Sequence, residues 1–92
     1  MSKSKLSTIL IFCKSADVQE KLHNEALKRY EADCENQALE NAADEAYKHY
    51  YDTCKSLSEM IVEATAGKIT SDIAFTMAFE KRNDIENILQ YK

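Results

Sequence analysis

Three cysteines and two histidines are the residues most able to do chemistry, yet their spacing forms no catalytic or metal-binding motif. Cys13, Cys34 and Cys54 lie far apart, and the chain has neither a C-x-x-C pair nor an H-x-x-x-H pair, two spacings by which short motifs hold zinc. Cys13 could act as a nucleophile only with a histidine beside it in space. An odd number of widely spaced cysteines is typical of reduced thiols in a cytoplasmic protein. We therefore predict no enzyme activity, no bound metal and no cofactor.

A tyrosine cluster around His49 is the first candidate for binding. On a helix, Tyr47 would share a face with Tyr50 and, more closely, with Tyr51. Tyrosine combines a large contact area with a polar tip and is enriched at protein interfaces. The alternatives are a half-buried edge of the core with solvated hydroxyls, or a pocket for a small ligand. We take all three tyrosines as candidate partner-binding residues.

An acidic run adjoins this cluster. Between residues 31 and 45 the chain carries six acids and no base: Glu31, Asp33, Glu35, Glu40, Asp44 and Glu45. Such a run disfavours direct binding of nucleic acid and suits a basic protein partner. The plainer interpretation is a solvated helix face. Glu35, Glu40 and Asp44 complete the predicted partner-binding set.

Basic residues suggest a second kind of site. Lys81 and Arg82, together with the lysines near the N-terminus, could hold the phosphates of a nucleotide while tyrosines stack on its base. The lysines in question are Lys3, Lys5 and Lys14. A glycine-rich phosphate loop is excluded because the chain contains a single glycine.

The elements that must position these residues are helical. The chain has no proline, its one glycine is Gly67, and good helix formers dominate its composition. We predict an all-α fold, a bundle of three to four helices forming a single helical domain over residues 1–92. A first helix is expected over Lys5–Lys14, with Ser15 as the N-cap of the next.

A long apolar stripe of helical period then runs from Val18 to Ala64 and includes Cys34 and Cys54 as small core residues. Gly67 is expected at the C′ position that ends this helix. Thr70 or Ser71 would cap the last helix, with a possible break near Arg82.

The length of the central helix is itself informative. About 50 helical residues would span roughly 75 Å, whereas a compact domain of this size is roughly 30 Å across. Either the helix breaks, most plausibly between Asp33 and Asn41, or a second copy of the chain covers the bare stripe. Both can hold together, so a homo-oligomer, in the simplest case a homodimer, is expected.

No apolar run approaches the roughly 20 residues that cross a bilayer. The apolar stretch from Thr8 to Cys13 is too short for the hydrophobic region of a signal peptide and is followed directly by Lys14. We expect a cytoplasmic protein with no membrane partner.

The string AADEAYKHYY, from Ala42 to Tyr51, resembles a segment of the phage Ocr-type antirestriction proteins, in which an Ala-Ala-Asp…Ala…His-Tyr-Tyr string lies on a helix. Those proteins are dimers that imitate bent DNA with a dense carboxylate surface. The net charge of −4 is small beside such a surface, and no acidic tail is present. The resemblance therefore implies a broader class, the small phage-encoded proteins that disarm a host defence by binding.

Together these features predict a helical interaction module that binds a host protein or protein complex and inhibits it by occlusion. Two alternatives remain. One is a homo-oligomeric sponge that sequesters a small anionic ligand such as a signalling nucleotide. The other is an immunity or antitoxin-type protein with one cognate toxin.

Overall fold

The computed structural model describes residues 3–90 as four α-helices. They are α1 (Lys3–Ala32), α2 (Gln37–Ala64), α3 (Ser71–Glu80) and α4 (Arg82–Gln90). Between residues 3 and 90 there is no β-strand. The predicted all-α bundle is therefore confirmed, at the upper end of the expected number of helices.

The first helix is longer than predicted. The expected end at Lys14, with Ser15 as an N-cap, is wrong, because α1 continues without a break to Ala32. The buried side chains Ile9, Cys13 and Ala16 follow one another at spacings of four and three, so a single helical face crosses the expected break. One serine does not interrupt a helix whose buried face is continuous.

The predicted break between Asp33 and Asn41 is confirmed at residues 33–36. Asn36 adopts an extended conformation as the N-cap of α2, and its side-chain oxygen accepts hydrogen bonds from the backbone N–H groups of Ala38 and Leu39 at 3.0 and 3.3 Å. Cys34 lies in this turn and is exposed, so its prediction as a core residue is wrong. Cys54, predicted on the same stripe, is fully buried.

A Schellman motif ends α2. The N–H of Gly67 donates to the carbonyl of Val62, and the N–H of Ala66 donates to that of Glu63. With Thr65 as the C-cap, Ala66 occupies C′ with φ +53°, and Gly67, expected at C′, occupies C″ with φ +80°. The left-handed turn therefore involves an alanine as well as the glycine.

The break predicted near Arg82 is confirmed at Lys81, which separates α3 from α4. Thr70 is the N-cap of α3, although its side chain makes no capping hydrogen bond. Both short helices pack on the half of the α1–α2 hairpin where α1 begins and α2 ends. The largest fully buried side chains of this core are Ile9, Leu57, Ile61, Ile85 and Cys54.

The other half of the hairpin is bare. Over residues 22–48, called here the hairpin arm, only Ala43 is buried. The described chain measures 48 Å along its longest axis, against the roughly 30 Å expected of a compact bundle. Its radius of gyration is 15.2 Å, compared with about 12 Å for a compact chain of this length. Two helices of 30 and 28 residues are too long for helices of 10 and 9 residues to cover.

Replacing Ala66 by glycine should stabilise the protein. The left-handed conformation costs an L-residue about 1–2 kcal/mol, which glycine avoids. The greater conformational entropy of glycine in the unfolded chain offsets part of this gain in stability. We expect Ala66→Gly to raise the free energy of unfolding by about 0.5–1 kcal/mol. Urea denaturation followed by circular dichroism measures this, with Ala64→Gly, inside the last turn of α2, as the control that should destabilise. A loss of stability in Ala66→Gly would contradict the assigned turn.

The three thiols should react very differently. Burial, followed by the charge of Asp17, raises the pKa of Cys13 to about 11, and burial likewise raises the pKa of Cys54. Because the thiolate is the nucleophile, iodoacetamide at neutral pH should alkylate Cys34 alone in the folded protein and all three cysteines in guanidinium chloride. Mass spectrometry counts the adducts. Rapid native labelling of Cys13 or Cys54 would contradict the packing.

Candidate protein-binding site

Arg82 fixes the turn between α3 and α4 against the middle of the hairpin. Its side chain is 6% exposed, and its Nε and Nη2 atoms donate to Asp17 and Glu20 at 2.7 and 2.9 Å. Its Nη1 atom donates to the hydroxyl of Tyr50 at 3.0 Å and to the carbonyl of Ala78 at 2.7 Å. Burial works against the charged guanidinium, but the hydrogen bonds that it donates to Asp17 and Tyr50 outweigh this effect and raise the pKa of Arg82.

Tyr50 belongs to this network, which corrects its place in the predicted binding surface. The residue is 6% exposed, its hydroxyl donates to Glu20 at 2.9 Å, and the Arg82 guanidinium lies 5.4 Å from its ring centre. Burial raises the pKa of Tyr50 to about 12; the Arg82 hydrogen bond opposes this and the Glu20 hydrogen bond adds to it. Tyr50 is a core residue that cannot contact a partner directly.

A row of aromatic rings runs from α3 onto the hairpin arm. The ring centroids of Phe75 and Phe79 of α3 lie 4.7 Å apart, and each lies 5.8 Å from the ring centroid of Tyr51. Tyr51 contacts Tyr47 at 6.2 Å, and Tyr47 contacts His23 of α1 at 5.3 Å. The row begins in the covered half of the hairpin and ends on the arm, where no third helix lies over it in the described structure.

Acidic side chains continue the row toward the tip of the hairpin. Glu40, Asp44, Tyr47 and Tyr51 lie four, three and four residues apart, so they share one face of α2. Opposite them, Leu27 and Tyr30 of α1 join His23, Asp44 and Tyr47 in lining an open groove. We call this surface the aromatic–acidic groove, defined by the residues His23, Leu27, Tyr30, Glu40, Asp44 and Tyr47.

The electrostatics of the groove are negative. The charge of Glu40 is the largest cause of a raised pKa at the exposed phenol of Tyr30, with smaller contributions that include the charge of Asp44. A negative charge is therefore disfavoured on this phenol, and a cationic group placed nearby would be favoured. The groove can receive apolar or aromatic side chains on its rings and a basic side chain beside Glu40 and Asp44.

The structure brings four of the six predicted residues onto one surface: Tyr47, Tyr51, Glu40 and Asp44. Tyr47 and Tyr51 are 47% and 38% exposed. Glu35 lies in the exposed turn at the tip, beyond the groove. His23, Leu27 and Tyr30 were not predicted as site residues, because their approach to α2 depends on the turn at residues 33–36. Their only signal was the helical spacing of Leu27 and Tyr30 with the apolar stripe.

The predicted phosphate site does not form around Arg82. Its guanidinium is buried and already bonded to two carboxylates, so it cannot reach a nucleotide in solution. No group of three or more histidine, cysteine or acidic side chains among residues 3–90 is arranged to hold a metal ion.

Comparisons with protein-family models, with curated proteins and with solved structures found no match to this chain. No helix within residues 3–90 combines the length and apolar character needed to cross a membrane. The candidate site therefore stands on its own geometry.

Removing Arg82 should destabilise the fold. Because Asp17 and Glu20 are about half exposed and regain water, we expect Arg82→Met to lower the free energy of unfolding by about 2–3 kcal/mol, below the usual cost of breaking a fully buried pair. The stability of Arg82→Lys should lie between those of the wild type and Arg82→Met, because lysine keeps the charge but not the planar fork of donors. Chemical denaturation measures both, with exposed Lys81→Met as the matched control. Equal stability of Arg82→Met and Lys81→Met would contradict the anchoring role.

Proposed function

We propose that this protein is an interaction module that binds a segment of a larger host protein in the aromatic–acidic groove and inhibits that protein by occlusion. The observation that carries the proposal is the row of rings that runs out from under α3 and ends, exposed, beside Glu40 and Asp44 on the hairpin arm. The arm stands clear of the bundle, so a bulky partner can reach it without meeting α3 or α4.

The chemistry of the groove specifies the kind of segment. Exposed Tyr47 and the partly buried Leu27 and Tyr30 favour apolar contacts, whereas Glu40 and Asp44 favour a lysine or arginine. The arm also lacks the third helix that covers the other half of the hairpin. An amphipathic helix with a basic edge fits these requirements, because it would lie where α3 would lie if it were longer.

The resemblance of residues 42–51 to Ocr-type antirestriction proteins favours a partner among bacterial defence systems, and a phage origin for the inhibitor. Residues 42–51 lie on α2, as the corresponding string lies on a helix in those proteins. The nucleotide sponge is less well supported, because Arg82 is engaged in the interior. An immunity or antitoxin protein would use the same groove for a different partner.

A binding test should separate the groove from the rest of the surface. We expect immobilised protein to retain a stoichiometric partner from a bacterial lysate, and Tyr47→Ala and Asp44→Lys each to weaken that complex by about tenfold or more. Asp44→Lys should also slow association and flatten its dependence on salt.

The matched control is Glu86→Lys, which makes the same charge change on α4, away from the groove. It should leave the complex intact. Recovery of no partner, or equal loss in Glu86→Lys and Asp44→Lys, would contradict the proposal. Circular dichroism of each variant must show unchanged helix content.

A further inference from the structure

The opposite face of the hairpin carries an exposed apolar stripe on α1. Ile11, Val18 and Leu22 are 62%, 59% and 54% exposed, and their spacing of seven and four residues places them on one helical face. They are half of the large apolar side chains exposed among residues 3–90. Large exposed apolar side chains that share one helix face make this face a candidate interaction site.

The stripe adjoins a shallow groove between the two long helices. Leu22 and Gln19 of α1 line it together with Ala42, Ala46 and Glu45 of α2. The small alanines let another helix approach closely here, and Glu45 marks the α2 edge of the face. Glu45 and His49 also line the aromatic–acidic groove, so the two surfaces meet along one edge of α2, although the tyrosines of that groove point to the side of α2 on which α3 packs.

The two edges of this face carry opposite charges at the same period. Exposed lysines follow α1 at intervals of seven residues: Lys14, Lys21 and Lys28. Exposed acids follow α2 at intervals of seven: Glu45, Asp52 and Glu59. Within residues 3–90 none of these six side chains takes part in an ion pair.

The lysines lie on the edge away from α2. Gln19 marks the α2 side of the stripe because it lines the groove, and Lys21 lies about 160° around the helix from it. The order across the face is therefore lysine row, apolar stripe, alanine groove, acidic row.

We propose that this face is the contact surface of a homodimer whose two-fold axis runs parallel to the hairpin. Such an axis places α1 of each copy on α2 of the other, so the lysine row of one faces the acidic row of its partner. The apolar stripe then covers the alanine groove. An axis across the hairpin would instead set lysines against lysines, which is unfavourable.

The levels of the charges along the hairpin match this arrangement. Tyr50 contacts Glu20 and Tyr47 contacts His23, so the two residues of each pair lie at the same height along the hairpin axis. Lys21 then falls between Asp52 and Glu45, about 5 Å from each along the axis. The two-fold axis preserves these levels, so a lysine side chain can reach either acid of the partner copy.

The size of the face suits a stable dimer. An α1 helix of 30 residues is about 45 Å long, and the described molecule is 19 Å and 16 Å across in its other dimensions. The face therefore offers roughly 700–900 Å² per copy, close to the roughly 800 Å² per partner of a standard interface.

Analytical ultracentrifugation of the full chain over a wide concentration range tests the association. We expect a monomer–dimer equilibrium and, in Val18→Glu, a dimer dissociation constant raised by about 100-fold or more, since a charge replaces the centre of the apolar stripe. Ile73→Glu is the control, because Ile73 is equally exposed but lies on α3. A wild-type monomer at all concentrations, or equal effects of the two variants, would overturn the proposal.

A charge-exchange experiment tests the direction of the axis. Lys21→Glu and Asp52→Lys should each weaken self-association by about tenfold, because each sets like charges against each other. An equimolar mixture of the two should form a heterodimer with nearly wild-type affinity, because Glu at 21 then faces Lys at 52. Lys68→Glu, outside the face, should have no effect. Failure of the mixture to recover would overturn the proposed arrangement.

A membrane would be the competing occupant of a stripe edged by lysines. Co-sedimentation with vesicles of phosphatidylcholine and phosphatidylglycerol distinguishes it. We expect the protein to stay in the supernatant, and a monomer that sediments with the vesicles and loses this binding in Val18→Glu would overturn the dimer.

Discussion

The buried guanidinium of Arg82 ties the two halves of the architecture together. It bonds Asp17 and Glu20 on α1, Tyr50 on α2 and the carbonyl of Ala78 on α3, while its own backbone begins α4. All four helices therefore meet at one side chain. Burying a charge is costly unless every donor is satisfied, so this contact favours one position of the α3–α4 turn along the hairpin over all others.

That position determines what the rest of the surface can do. With the turn held at the level of Tyr50, α3 covers the row of rings only as far as Phe79, and Tyr47 and His23 remain beyond its end. The aromatic–acidic groove is thus the uncovered continuation of the core. The stripe of Ile11, Val18 and Leu22 lies on another face of the hairpin, but Glu45 and Asp52 of the proposed dimer face also line the groove, so a partner and a second copy would meet along this edge of α2.

Much of the fold could be predicted from local signals. The missing prolines, the helical spacing and the Asp and Asn residues near position 36 were enough for the helices and their main break. The end of α1 was missed because an apparent cap at Ser15 carries no weight inside a continuous buried face. Gly67 was placed one position early, since sequence alone does not show that Ala66 accepts a left-handed conformation.

The site was only partly predictable for a different reason. Glu40, Asp44, Tyr47 and Tyr51 share a face within one helix, and local spacing reveals such a set. The burial of Tyr50 depends on Arg82, 32 residues away, and on Glu20, 30 residues away in the other direction. Contacts of that range arise from how the helices pack, and no periodicity along the chain encodes them.

The bareness of the hairpin arm has an energetic consequence for any occupant. Because Ala43 is the one buried residue among residues 22–48, we expect this segment to open locally more often than the bundle at its base. A ligand that binds there must suppress this local opening, so the conformational entropy lost by the arm reduces the net free energy of binding. Binding would therefore order the arm, and the affinity would be highest for an arm whose two helices are already held together.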